Sequence, residues 1–85
     1  MDKMKYIKYI HGGQNSPLSQ IVIFTPVDSH RDMADKMHLR PLDILSAGFF
    51  TCEPDSIRCY GDSISLGVEF HEEDAGKISH IIRGY

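Results

Sequence analysis

The sequence predicts a single α+β domain over residues 1–85, with the element order ββαββα. Four segments rich in β-branched and aromatic residues are bounded by turn formers, and two others carry apolar residues at helical spacing. An apolar content of 41%, with 25% charged residues, is that of a folded globule rather than a disordered chain. We therefore expect a four-stranded, mainly antiparallel sheet with two helices on one face.

The first half of the chain predicts a hairpin followed by a helix. Residues 5–10 and 21–24 have the composition of strands, and the turn formers at 12–17 indicate a long hairpin loop between them. Ser29 is a suitable N-cap for a helix, and Pro41 prevents that helix from continuing. The apolar face of the helix consists of Met33, Ala34 and Met37.

The second half follows the same order. Residues 44–52 predict a third strand, and the proline-containing turn at 53–56 leads into a fourth strand over 57–68. The apolar residues of this fourth strand change parity on either side of Gly61, so we expect a β-bulge there. The second helix has an apolar stripe made of Ala75, Ile78, Ile81 and Ile82.

The repeated order raises the hypothesis of an internal ββα duplication. Shifting the chain by 41 residues aligns Ile23 with Ile64 and His30 with His71. The alternative is that two strand-to-helix junctions have a similar composition by chance.

The predicted strands are apolar on both sides. Consecutive apolar residues at 21–24 and 49–50 point to both faces of the sheet, and two short helices on one face cannot cover the other. We therefore expect another chain on the second face, in a homodimer or with a different protein; the alternatives are a covering loop or singly exposed apolar residues. The candidate partner-binding residues are Gln14, Asn15, Val22 and Phe24.

Composition restricts the classes of partner and compartment. The net charge is −3 and the basic residues are scattered, so nucleic acid is not the expected partner. No apolar run approaches the roughly 20 residues that span a bilayer, and we expect a cytoplasmic protein that does not bind membranes. Cys52 and Cys59 flank the turn at 53–56 and should share one face, as reduced thiols or, alternatively, as a disulfide.

The segment Gly61-Asp62-Ser63 resembles the nucleophile block of the GDSL-type esterases. The resemblance implies a Ser63 nucleophile, for which His80 and Asp74 are the available base and carboxylate. The family's Asp-x-x-His spacing is absent, and the family carries its block near the start of a much longer chain. A small serine hydrolase is therefore an alternative, and the structural interpretation of the segment is a glycine bulge.

Five histidines are many for a chain of 85 residues. His30 and His71 come near the predicted helix starts, and a twofold relation between the halves would bring them together. A metal there would need further ligands from Asp32 or Glu72. We expect surface histidines near helix caps instead. No catalytic, cofactor or metal residue is assigned, and a metal- or nucleic-acid-binding module is a further alternative.

Two segments carry a second resemblance: Ser46-Ala47-Gly48-Phe49, and residues 59–67 followed by Glu73-Asp74-Ala75. They resemble a group of short, uncharacterised proteins of bacteriophages and prophages, over roughly residues 20–82. The group has no known activity, so the resemblance implies no functional residues. Small phage proteins without a catalytic set often block or redirect a host protein, including host defence complexes. The resemblance therefore implies a non-enzymatic interaction module that acts as an inhibitor or adaptor.

Overall fold

The computed structural model describes residues 3–10 and 19–84. The protein is of the α+β class, as the sequence predicted, and its main sheet is antiparallel with the strand order β2-β1-β3-β4. The elements are β1 (Met4–Ile10), β2 (Ser19–Phe24), α1 (His30–Lys36), a 3₁₀ turn (Pro41–Asp43), β3 (Ile44–Cys52), β4 (Ile57–Tyr60), β5 (Asp62–Ser63), β6 (Val68–Glu69) and α2 (Asp74–Arg83).

The central strand β1 determines how the two sides of the sheet are covered. Tyr6 and Ile7 are adjacent, point to opposite faces and are both fully buried. Ile7 belongs to a cluster with Ala34 of α1, whereas Tyr6 belongs to a cluster with Ile78 of α2. The helices therefore lie on opposite faces, and not on one face as the sequence analysis expected. Each helix covers one apolar face of the sheet. Strands that are apolar on both faces therefore need no second chain to cover them.

The predicted fourth strand is divided. The strand β4 ends at Tyr60, Gly61 adopts a positive φ of 81°, and the chain then forms the separate two-stranded hairpin β5–β6. The Ser63 hydroxyl accepts the Leu66 main-chain N–H at 3.3 Å, and Gly67 has a second positive φ of 72°. These two features turn the chain back where a continuous strand was expected.

The 41-residue alignment does not correspond to a repeated structure. Ile23 lies in β2, whereas Ile64 lies in the turn between β5 and β6. His30 is the first residue of α1, but His71 precedes α2 by three positions and lies on the other side of the sheet. The element order ββαββα thus arises without equivalent positions in the two halves.

Gly48 of β3 is closely surrounded by neighbouring atoms. A Cβ atom on Gly48 would lie 2.8 Å from the Tyr60 carbonyl oxygen and 3.0 Å from Cβ of Phe70. By contrast, a Cβ atom on Gly76 of α2 would have no neighbour within 4 Å.

We predict that Gly48→Ala destabilises the protein by about 1–3 kcal/mol, because a main-chain oxygen cannot move away without displacing β4. Gly76→Ala is the matched control and should stabilise the protein by up to about 1 kcal/mol, because alanine favours the helical backbone. Urea unfolding of both variants measures the difference. An unchanged unfolding midpoint for Gly48→Ala would contradict the tight packing.

Candidate functional site

A buried polar network lies between α2 and the sheet, with the Asp74 carboxylate at its centre. Asp74 is 0% exposed and its Oδ2 accepts hydrogen bonds from the hydroxyls of Tyr6 at 2.6 Å and Ser46 at 2.7 Å. The main-chain N–H of His71 donates to the same oxygen at 3.1 Å. The ammonium of Lys8, which is 4% exposed, lies 2.7 Å from Oδ1. Three hydrogen bonds therefore hold Oδ2, whereas Oδ1 is held by its ion pair with Lys8.

The network shifts the pKa values of its members. Burial alone would raise the pKa of Asp74, but Lys8 and the hydrogen bonds from Tyr6, Ser46 and His71 outweigh it and hold that pKa below its usual value. Burial, together with the hydrogen bond to Asp74, raises the pKa of Tyr6. The carboxylate is consequently ionised and the phenol neutral at physiological pH.

The network is a structural connection and not an active site. Tyr6, Ser46 and Asp74 are each 0% exposed, so a substrate cannot reach them without unfolding of α2. The side chain of Asp74 accepts the His71 N–H, which is one half of a capping box, and the Asp74 N–H donates to the His71 main-chain carbonyl at 3.0 Å. This arrangement fixes the beginning of α2 against β1 and β3.

The structure does not assemble the triad that the esterase resemblance implied. Ser63 is 2% exposed, and its hydroxyl is bonded to the Leu66 N–H and lies 3.4 Å from the Ser65 hydroxyl. The Asp74 carboxylate is held by Lys8 and its neighbours. Among the described residues, neither Ser63 nor Asp74 is hydrogen-bonded to a histidine side chain.

The two histidines singled out from the sequence occupy different environments. His30 is buried, which corrects the expectation of a surface position. Its ring meets the rings of Phe24 and Phe49 edge-on, with centroid distances of 5.6 and 5.5 Å. Its Nε2 lies 2.9 Å from the Gly48 carbonyl, which can only accept, so Nε2 carries the donated proton. Burial lowers the pKa of His30. Across the described ranges, no group of three or more His, Cys, Asp and Glu side chains is placed to hold a metal ion.

The cysteines lie on one face, as predicted. Cys52 and Cys59 both pack against the cluster around Phe50 and are free thiols. Burial, and the negative charge of Asp74, raise the pKa of Cys59 to about 11. This thiol is therefore protonated and a poor nucleophile at neutral pH.

The candidate partner-binding residues are not brought together on an open surface. Gln14 and Asn15 lie outside the described residues. Val22 packs against the cluster beneath α1, and Phe24 in the same cluster is only 6% exposed. The other face of β2 carries Ile21, which is partly buried and lines a groove; sequence alternation could have indicated this position.

That other face forms a groove between β2 and α2. The strand β2 is an edge of the sheet, and the helix lies away from it because α2 contacts β4 and the Arg83 guanidinium donates to the Glu53 carbonyl at 2.7 Å. The groove has a volume of about 640 Å³. It is lined by Ser19, Gln20, Ile21, Gly76, Lys77, His80 and Ile81.

The groove combines apolar and basic side chains with a strand that is an edge of the described sheet. Ile81 is 53% exposed and lines the groove together with Ile21. Lys77 and His80 are the ionisable residues of the described lining, which contains no acidic side chain although the chain as a whole carries a net charge of −3. An edge strand also directs main-chain N–H and C=O groups outward.

Comparison with known proteins gives no relative: no family model matches the chain, and no curated protein or solved structure matches it.

No helix in the described part of the chain is long and apolar enough to cross a membrane.

We predict that Asp74→Asn destabilises the protein at pH 7 by about 3–5 kcal/mol, because it leaves the buried Lys8 ammonium with only the exposed Glu73 carboxylate, 3.7 Å away, as a counter-charge. Since the pKa of Asp74 is lowered by folding, its contribution is present above the unfolded-state value of about 4 and is lost as the pH falls through the folded-state pKa. Urea unfolding between pH 3 and pH 7 measures both effects.

The double variant Lys8→Met/Asp74→Asn is the control for the unpaired charge. It should be more stable than Asp74→Asn alone, because methionine removes the uncompensated ammonium while keeping a similar length. If Asp74→Asn unfolded at the same urea concentration as the parent protein at pH 7, the proposed role of the ion pair would be wrong.

Proposed function

We propose that the protein is a non-enzymatic interaction module that binds an extended segment of another protein along β2, in the groove beneath α2. One observation carries this proposal: Gly76 lies within a helix, where glycine is unfavourable, although no neighbouring atom excludes a side chain. Packing does not require the glycine. It does leave the groove open directly beside an edge strand.

The groove supplies the components of strand addition. A partner segment that pairs with the outer edge of β2 satisfies the outward main-chain groups, which provides affinity without regard to sequence. Every second side chain of that segment then points into the groove, where Ile21 and Ile81 offer apolar contact. Carboxylates on the segment would pair with Lys77 and His80, so the favoured sequence is apolar and acidic.

The resemblance to phage proteins suggests the biological class of partner. A host protein, in a defence complex or elsewhere, is the partner we propose, and the chain would act by occupying that protein's exposed strand or tail. Pairing of β2 with β2 of a second copy is the competing use of the same edge, because an unprotected edge strand can also form a homodimer.

The test is a selection of ten-residue peptides from a random library on the immobilised protein, followed by NMR mapping of the amide signals. We expect selected peptides to shift the signals of Ile21 and Ile81. Gly76→Trp should weaken their binding at least tenfold, because the indole fills the groove.

Gly76→Ala is the matched control, because it changes the same position but keeps the groove open, and it should bind within about threefold of the parent protein. Light scattering on the protein as it elutes from a size-exclusion column reports the oligomeric state. Selected peptides that bind Gly76→Trp and the parent equally, or a stable dimer in which the β2 amides are protected from exchange, would refute the groove as a site for a different protein.

A further inference from the structure

A second surface lies on the face that carries α1, next to His30 at the N-terminal end of that helix. Here Lys5 of β1, Phe49 of β3 and Tyr60 of β4 are directly opposite one another in register. The Phe49 and Tyr60 rings are stacked, with centroids 5.8 Å apart and an interplanar angle of 24°. Both aromatic side chains are half-buried, so part of each ring meets solvent.

Cations gather around these rings. The ammonium of Lys3 lies 4.6 Å and that of Lys5 5.9 Å from the centroid of Phe49. Arg58 is exposed two positions before Tyr60, so its side chain is on the same face, and it pairs in register with Thr51. Two ammonium groups thus lie over the Phe49 ring, and an exposed arginine lies on the same face of the neighbouring strand β4.

The surface also contains a concavity. A cavity of about 280 Å³ is lined by Thr51, Arg58 and Tyr60. An aromatic wall, a guanidinium and a hydroxyl are the groups that hold a base by stacking and a phosphate by charge.

We propose that this face, defined by Lys3, Lys5, Phe49, Thr51, Arg58 and Tyr60, binds a short segment of single-stranded nucleic acid. A base stacks on Tyr60 beside Phe49, and the flanking phosphates contact Lys3, Lys5 and Arg58. From β1 to β4 the surface spans about 10 Å, since neighbouring strands lie about 4.8 Å apart, which suits one to three nucleotides.

The net charge of −3 led us not to expect a nucleic-acid partner, but it does not exclude this site. Charges farther away than the Debye length of about 8–10 Å are largely screened at physiological salt, so a phosphate on the sheet responds mainly to the nearest side chains. Lys3, Lys5 and Arg58 supply positive charge on this face, and the carboxylate of the neighbouring Asp28 is paired with Lys36 at 2.9 Å. Lys5 also donates to the Asp28 main-chain carbonyl at 2.9 Å, which orients its ammonium without neutralising it.

Fluorescence anisotropy with labelled dT12 and rU12 at 20–200 mM salt tests the proposal. We expect saturable binding to at least one of the two oligonucleotides. Tyr60→Leu should weaken it about tenfold through loss of stacking, whereas Tyr60→Phe, which keeps the ring, should stay within threefold. Arg58→Gln should weaken binding and reduce the slope of log affinity against log salt by about 0.7, the value for one phosphate contact.

Lys77→Gln is the matched control, because it removes one positive charge on the opposite face and should leave the affinity and its salt slope unchanged. Unlabelled thymidine monophosphate and a polyglutamate peptide are the competitors, and each should compete at least 100-fold more weakly than dT12. Circular dichroism confirms that every variant is folded.

Absence of saturable binding at 20 mM salt would overturn the proposal, and so would equal effects of Lys77→Gln and Arg58→Gln. Thymidine monophosphate competing as well as dT12 would assign the face to a free nucleotide. Polyglutamate competing as well as dT12 would assign it to an acidic peptide. Either result would overturn the assignment to nucleic acid.

Discussion

The buried ion pair between Lys8 and Asp74 is the interaction on which the rest of the structure depends. Removing both charges from water is costly, and their attraction is supplemented by hydroxyl donors and by the main chain at the start of α2. Such a pair adds little stability compared with apolar residues of the same size. Any other placement of α2, however, would leave a buried charge unpaired, so the pair determines where the helix lies.

The placement of α2 decides which surfaces remain open. Its first turn is fixed over β1 by Asp74, and its last turn is held at the β3–β4 turn by Arg83. The helix therefore covers the middle of its face, and Ile21 and Ile23 of β2 are only partly buried at the side of that core. On the other face, α1 packs against β1 through Ala34 and Ile7, and the rings of Phe49 and Tyr60 lie beyond it. A sheet with one short helix per face thus presents two partly open surfaces.

The sequence predicts the class of fold and most elements, because strand composition, turn formers and helix caps act locally. Ser29 is an example: its hydroxyl accepts the Asp32 N–H at 3.0 Å, as expected of an N-cap. It does not predict the faces of the helices. A lysine at position 8 suggests a solvent-facing side of β1, and only its tertiary partner Asp74 shows that this side is buried. The groove was missed for the same reason, since Gly76 and Ile21 are brought together by that pair.

The position of the two surfaces bears on what kind of module the protein is. The groove at Ile21 and Gly76 and the aromatic face at Phe49 and Tyr60 lie on opposite sides of the sheet and share no residue. Because the sheet separates them, a ligand on one surface does not contact the residues of the other. Under the two proposals made above, the chain would hold a protein segment and a nucleic acid at the same time. Joining two ligands in this way is the action of an adaptor, whereas an inhibitor need only cover one.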